Sequence, residues 1–443
     1  MRFCVSLMTV LVMLGSLNAS ARANSVNSSY AADGGVSGLK WKGTTIPIAV
    51  SSSLFYANYN IKSDSDVDGA LSRSLAAWSR VANIDFAETP TDKLNASPVG
   101  GAGDGISLIT NAPTAENALL FQKDPDIVAA TTRVFYNGRG QITEADVVLN
   151  PYQQFSTDGT IGTFDLESTL THEIGHLLGL DHSPILGATM HDNYGKNGLY
   201  GLQSFGVRSL GAADIAAARA IYGARQEDSE CCGRIAGKIL SSTGRPVKGA
   251  VVWLEDVKTG AVFGGTQTSA DGSYKFAGLA SGTFKVQAQS GAGARTGFST
   301  QDLGEAVVDK NETLLPAKRI SPAPGGIELS YIGFNGQLSD LPVPLSAGRT
   351  YIVYLGGRNL DPKRITFGFD SPFLSVVPNS VNTPDFGDEI SVVSFEVRVD
   401  PKTPTGEYSI FAASEKGQRQ VLAGAFTVDK SGNNFSRSVL AKD

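Results

Sequence analysis

Histidine and cysteine are scarce in this chain: 443 residues hold four of the first and three of the second. Also missing are a basic block, a fixed-period repeat, a coiled-coil heptad pattern and any long apolar run after the first residues. Each absence excludes something. The 37 Lys and Arg against 43 Asp and Glu give a formal charge of −6, with no cation cluster. Nothing here neutralises a phosphate backbone or an anionic bilayer, so neither is an expected partner. The apolar run from Phe3 to Leu17 is shorter than the roughly 20 residues that cross a membrane, so no span is expected. Cys4 lies inside it, which leaves Cys231 and Cys232, two neighbours in sequence. Ordinary disulfide geometry wants Cα atoms about 5.5 Å apart, so the chain is no disulfide scaffold. Its domains must be held by their cores, and the two thiols read as inert, redox-sensitive or intermolecular.

The N-terminus, "MRFCVSLMTVLVMLGSLNASARA", has the three parts of a secretory signal peptide. They are the cation Arg2, the apolar run, and small residues at Ala21 and Ala23. The expectation is a signal peptide at 1–23 and a secreted, extracellular protein. The remaining length calls for two to four domains. A short segment, 24–38, precedes an α+β block at 39–224, in which "TIPIAVS" reads as a strand. Val67, Ala70, Leu71, Leu75 and Trp78 form one helical stripe in "DVDGALSRSLAAWSRVA". "GISLIT", "TRVFYN" and "EADVVLN" are further strands, and "LGAADIAAARAIYG" is an alanine-rich helix ending at a glycine. A polar linker is placed at 225–233. Two all-β sandwich domains are expected after it, at 234–318 and 319–429, from alternating apolar positions and turn pairs such as Asp271-Gly272. A disordered tail is expected at 430–443.

All four histidines fall in "THEIGHLLGLDHSPILGATMHDNY", Thr171 to Tyr194. On a helix, His172 and His176 are one turn apart and can reach a single ion. Glu173 is rotated by about 100° from His172, beside that ion. Gly179 can take a left-handed backbone, end the helix and return His182 to the same point. Three imidazoles with a fourth position open describe a catalytic zinc site rather than a closed structural one.

This H-E-x-x-H-x-x-G-x-x-H segment resembles the metzincin zinc metalloproteases, and specifically the matrixin branch, down to Ser183 after the third histidine. The resemblance implies an α+β metzincin catalytic domain with a mixed sheet and an active-site helix. It makes His172, His176 and His182 the ligands of one Zn2+, and Glu173 the general base that takes a proton from a zinc-activated water. Met190 becomes the Met-turn residue beneath the metal, and Tyr194 part of the wall of the pocket for the residue after the scissile bond. Asp192 stands where matrixins often have proline. Asp214 matches an aspartate that helps anchor the N-terminus, and His191, with no ligand role, reads as a surface histidine or as part of the cleft lining. The strand around Ala145–Leu149 reads either as the cleft edge, pairing with an extended peptide, or as an interior strand. The upstream cysteine that blocks zinc in matrixin zymogens has no counterpart after the signal peptide. Calcium through Asp104, Asp124, Asp126 or Asp146 is an added expectation, although no loop carries a calcium pattern.

Residues Gly244–Val252 and Ser269–Leu279 resemble carboxypeptidase-regulatory-like modules, and the last block looks immunoglobulin-like. The leading reading is thus a monomeric secreted zinc metalloendopeptidase acting on protein or peptide. Its β modules would bind a matrix or cell-surface ligand. The alternative is an adhesive or binding protein with a vestigial protease domain.

Overall fold

Alternation and helical spacing become strands and helices nearly where the sequence puts them. The computed structural model describes residues 38–56, 60–98, 103–122, 128–193, 195–204, 206–225, 231–291, 297–321, 326–387 and 389–429. The signal peptide, the C-terminal tail, Asp124, Asp126 and Tyr194 lie outside them.

The first block is a six-stranded sheet with helices. In chain order it runs β1 (Lys40–Trp41), β2 (Thr45–Ser51), α1 (Val67–Val81), β3 (Asp85–Thr91), β4 (Leu108–Thr110), α2 (Ala115–Ala118), β5 (Ala130–Tyr136) and β6 (Gln141–Leu149). Two short strands, β7 (Phe155–Ser156) and β8 (Phe164–Asp165), lead into α3 (Leu166–Leu177), and α4 (Ala212–Tyr222) closes the block. β3, β2, β4 and β6 pair in parallel, and β1 adds in parallel to the start of β6. β5 runs antiparallel along the other side of β6. The strand at Ala145–Leu149 is therefore interior, and the edge belongs to β5. Sequence alternation records which residues are buried, but the pairing of β6 on both sides depends on distant segments.

The stripe on α1 is buried as read: Ala70, Leu71, Leu75 and Trp78 face the core with Ser74, and the Asp66 carboxylate caps the helix at the Gly69 amide. Trp78 crosses to α3, where its Nε1–H donates to the Thr171 carbonyl at 2.8 Å. Every residue of α3 is buried. The carbonyls at its C-terminal end, which a helix leaves without internal partners, are met from afar. Trp41 Nε1–H donates to Leu177 O at 2.9 Å and the Tyr222 hydroxyl donates to Leu178 O at 2.6 Å.

Beyond residue 230 the chain is β-rich. One pair of sheets encloses a core built on Ile235, Val252, Tyr274, Phe276 and Phe284. A second pair encloses another, built on Val353, Phe395, Tyr408 and Phe426. Two expected boundaries shift. The strand Cys231–Ser241 begins inside the expected linker, and Lys318–Ile320 pairs in parallel with Ile239–Ser241, so residues 319 and 320 belong with the first pair of sheets. Cys231 and Cys232 are bonded to each other at the head of that strand.

The β-rich region is packed onto the first block. Gly278 sits so close to α4 that a Cβ would lie 2.2 Å from the Ala216 carbonyl, and the small alanines of α4 permit this approach. Ile185 and Ala188 form a shared apolar cluster with Trp253, Val262, Val421 and Ala423. Tyr200 is wholly buried in the core of the last pair of sheets. Among the described residues, no helix is long and apolar enough to cross a membrane.

Candidate metal centre

The active-site helix starts at Asp165, whose carboxylate accepts from the Ser168 amide at 2.8 Å and is paired with Arg208. It stops where the sequence says it should. Gly179 has φ +92°, and a Cβ there would lie 2.2 Å from the Leu39 carbonyl, so both conformation and space require glycine. The reversal brings His182 back: the Nε2 atoms of His176 and His182 are 3.1 Å apart. Each of the three histidines offers one ring nitrogen, all within 4.8 Å of one another. Among the described residues, this is the one group of three or more His, Cys, Asp or Glu so arranged.

Two backbone carbonyls set the tautomers. His172 Nδ1–H donates to Thr189 O at 2.7 Å and His176 Nδ1–H to Leu180 O at 2.8 Å, which turns each Nε2 lone pair inward. Burial, reinforced by the neighbouring rings, holds His172 well below the usual imidazole range and His176 at about 3. His182, at the mouth, is lowered too, mainly by burial. All three are therefore neutral at physiological pH. Neutral imidazoles with lone pairs aimed at one point suit a divalent cation. A tetrahedral zinc with Zn–N of about 2.0–2.1 Å would set its ligand nitrogens about 3.3 Å apart, so the donor set fits.

Glu173 is buried beside His172. Its partner carries no mark in the sequence: the Thr132 hydroxyl, on β5, donates to Glu173 Oε2 at 2.5 Å and lies 3.1 Å from the Glu173 carbonyl. Met190 lies under the helix, where its Sδ would be 2.2 Å from a Cβ at Gly175; the glycine makes room for the sulfur. The N-terminal segment that Asp214 is expected to anchor lies outside the described residues. The Asp214 carboxylate accepts from the amides of Thr189 (2.8 Å), Met190 (3.1 Å) and Gly211 (2.9 Å), so it holds the Met-turn and caps α4. A buried carboxylate surrounded by amides takes the nearest donors, and here those belong to the turn. His191 is half-buried rather than on the surface, with its ring 3.3 Å from Ser183 O. Asp104 pairs with Lys93, and Asp146 accepts from the Ser97 and Leu108 amides. Burial pushes the Asp146 carboxyl up to about 7.

Comparison with known sequences agrees with this geometry. Residues 40–223 match the family described as matrixin. The chain carries a matrixin domain. Residues 234–315 match the carboxypeptidase regulatory-like domain, so the matrixin domain is followed by a known β-rich module. Relatives of the matrixin domain include interstitial collagenase of Oryctolagus cuniculus, 27% identical over 180 residues, covering 41% of this chain and 33% of that protein. Metalloendoproteinase 1 of Glycine max is 33% identical over 141 residues, covering 29% of this chain and 38% of that protein. The matches thus span 33% and 38% of these relatives' own lengths. Among solved structures, the major pilin subunit BcpA of Bacillus cereus aligns at 15% identity, covering 43% of this chain and 67% of the pilin. Its TM-score is 0.18, a value at which the likeness carries no argument. The matrixin domain points to a metalloprotease and to zinc as its metal.

Proposed function

We propose that this chain is a secreted, extracellular zinc-dependent metalloendopeptidase in which His172, His176 and His182 hold one zinc ion and Glu173 is the general base. The observation that carries the reading is the convergence of three neutral imidazoles, each inward nitrogen fixed by helix, glycine turn or backbone carbonyl, beside a buried carboxylate. A zinc ion held there would supply Lewis acidity toward a water and the scissile carbonyl. Glu173 takes the proton from the attacking water on a carboxylate oxygen and returns it to the leaving amine. The Thr132 hydroxyl restrains the rotation of that carboxylate. Among the described residues β5 pairs only with β6, so its outer edge is the one an extended peptide would join, main chain to main chain. Met190 supports the site from beneath. The β-rich region is read as two sandwich domains that attach a matrix or cell-surface ligand to a monomeric enzyme.

The test uses the chain expressed without residues 1–23. Expected are one zinc per molecule and chelator-sensitive cleavage of a peptide library. Glu173→Ala should lower the rate roughly 10²–10⁴-fold with zinc retained. A zinc-loaded wild type that cuts no peptide would leave the binding-protein reading in its place.

A further inference from the structure

The third histidine stands at the foot of a short loop whose tip is held by the β-rich region. From Ser183 to His191 the chain doubles back. The Ser183 amide donates to Met190 O at 2.7 Å, Ala188 N–H to Ile185 O at 3.1 Å and His191 N–H to Ala188 O at 3.1 Å. One foot of the loop follows His182, and the other carries Thr189, whose carbonyl orients His172. At the tip is Ile185, with no exposed surface. Between His182 and Thr189 no side chain joins the core of the matrixin domain. Ile185 and Ala188 cluster instead with Trp253 and Val262 of the first pair of sheets and Val421 and Ala423 of the last.

Two glycines shape the socket that takes Ile185. A Cβ at Gly265, in the strand Val262–Gln267, would overlap Ile185 Cγ1 and come within 2.6 Å of its Cδ1. A Cβ at Gly424, in Arg419–Asp429, would overlap Ile185 Cγ2. Gly424 has φ +69°, so it serves conformation as well, whereas Gly265 is not left-handed and only its missing Cβ matters. Beside the socket the Leu186 amide donates to Ala423 O at 3.1 Å. The tip is thus fixed to both pairs of sheets.

We propose that Ile185 is a positioning residue for the metal centre, and that the two β modules complete the site by seating it. The proposal rests on reading the three histidines as zinc ligands, and it gives the β-rich region a part in the site itself. A short loop closed by backbone bonds moves as a unit. A shift at its tip is carried to His182 at one foot and to Thr189 at the other. Groups that orient metal ligands change metal affinity by about 10–100-fold when they are lost.

The experiment uses the chain expressed without residues 1–23, with zinc affinity read by chelator competition and stability by denaturant unfolding. Gly265→Ala drives a methyl group into Ile185 and should weaken zinc binding about tenfold or more. Ile185→Ala empties the socket and should weaken it on the same scale. In the double variant the new methyl takes room that Ile185 has vacated, so zinc should bind more tightly than in Gly265→Ala alone. Where Gly265→Ala does not fold, Ile185→Val carries the test, with a smaller loss expected. Val353→Ala, in the core of the last pair of sheets, reads general loosening: it should unfold at lower denaturant with zinc affinity unchanged. Zinc affinity unmoved in the Ile185 and Gly265 variants, losses that simply add in the double variant, or an equal loss in Val353→Ala would each overturn the proposal and leave the zinc reading intact. A wild type that holds no zinc would remove both.

Discussion

Two groups of buried ionisable residues lie on either side of Met190, and Thr189 touches both. Its carbonyl accepts from His172, and its amide donates to Asp214. On one side are His172, His176 and His182. On the other are Asp214 and Glu407, which reaches in from the last pair of sheets. A Cβ at Gly211 would lie 2.1 Å from a Glu407 carboxylate oxygen. Burial acts on both groups and discharges them in opposite ways. The imidazoles lose their protons and keep lone pairs aimed at one point. Glu407 keeps its proton, because burial, with Asp214 beside it, pushes its carboxyl up to about 8. Asp214 has its oxygens taken by three amides. What separates a reactive cluster from a structural one is therefore where the lone pairs point, and burial alone does not tell them apart.

That contrast can be broken in three places. The largest effect is expected from His176→Ala: metal analysis should find zinc falling from about one per molecule to almost none, with cleavage no higher than in chelator. Stoichiometric zinc in that variant would put the ion elsewhere. Next comes Asp214→Ala. Three amides lose their acceptor, and the expected loss of stability is about 3–5 kcal/mol, read by denaturant unfolding. Because Thr189 orients His172, zinc affinity should also drop about 10–100-fold in competition with a chelator. Unfolding altered with zinc affinity unmoved would show that the two groups are independent. The smallest effect is from Glu407→Gln. Between the ordinary carboxyl value near 4.5 and about 8, the folded protein keeps a proton that the unfolded chain has lost. Stability from this group is thus complete below about 4.5 and is lost as pH rises through 8, with a slope of at most about 1.4 kcal/mol per pH unit. The glutamine variant should lack that slope. Identical pH profiles for both proteins would mean that Glu407 is ionised in the fold.

How much of this was legible depended on sequence distance. The three histidines and Gly179 stand within eleven residues, and helix periodicity plus one left-handed glycine fix their meeting without help from elsewhere. The α1 stripe ending at Trp78 was legible for the same reason. Thr132 was not, because it meets Glu173 across 41 positions through the pairing of β5 and β6 and the packing of α3 on them. The three amides that Asp214 accepts from were not legible either, because a carboxylate shows its partners only once the turn is in place. Whether Ala145–Leu149 is an edge or an interior strand stayed open in the sequence because a buried strand and an edge strand can share one alternation. Glu407 carried no signal at all, since an acidic residue in a strand-rich segment looks alike whether it faces its own core or a neighbour's.

By itself, then, the sequence determined the donor set: which side chains carry the lone pairs, and a local backbone that can bring them to one point. Periodicity and a glycine turn are short-range consequences of chain geometry, and they need no partner. The tertiary structure decided what surrounds that point. It chose the hydroxyl that restrains Glu173, the carboxylate under the Met-turn, and the Glu407 carboxyl that reaches in from the last pair of sheets. Those contacts join segments tens to hundreds of positions apart, and only the packing of separate cores onto one another brings them together.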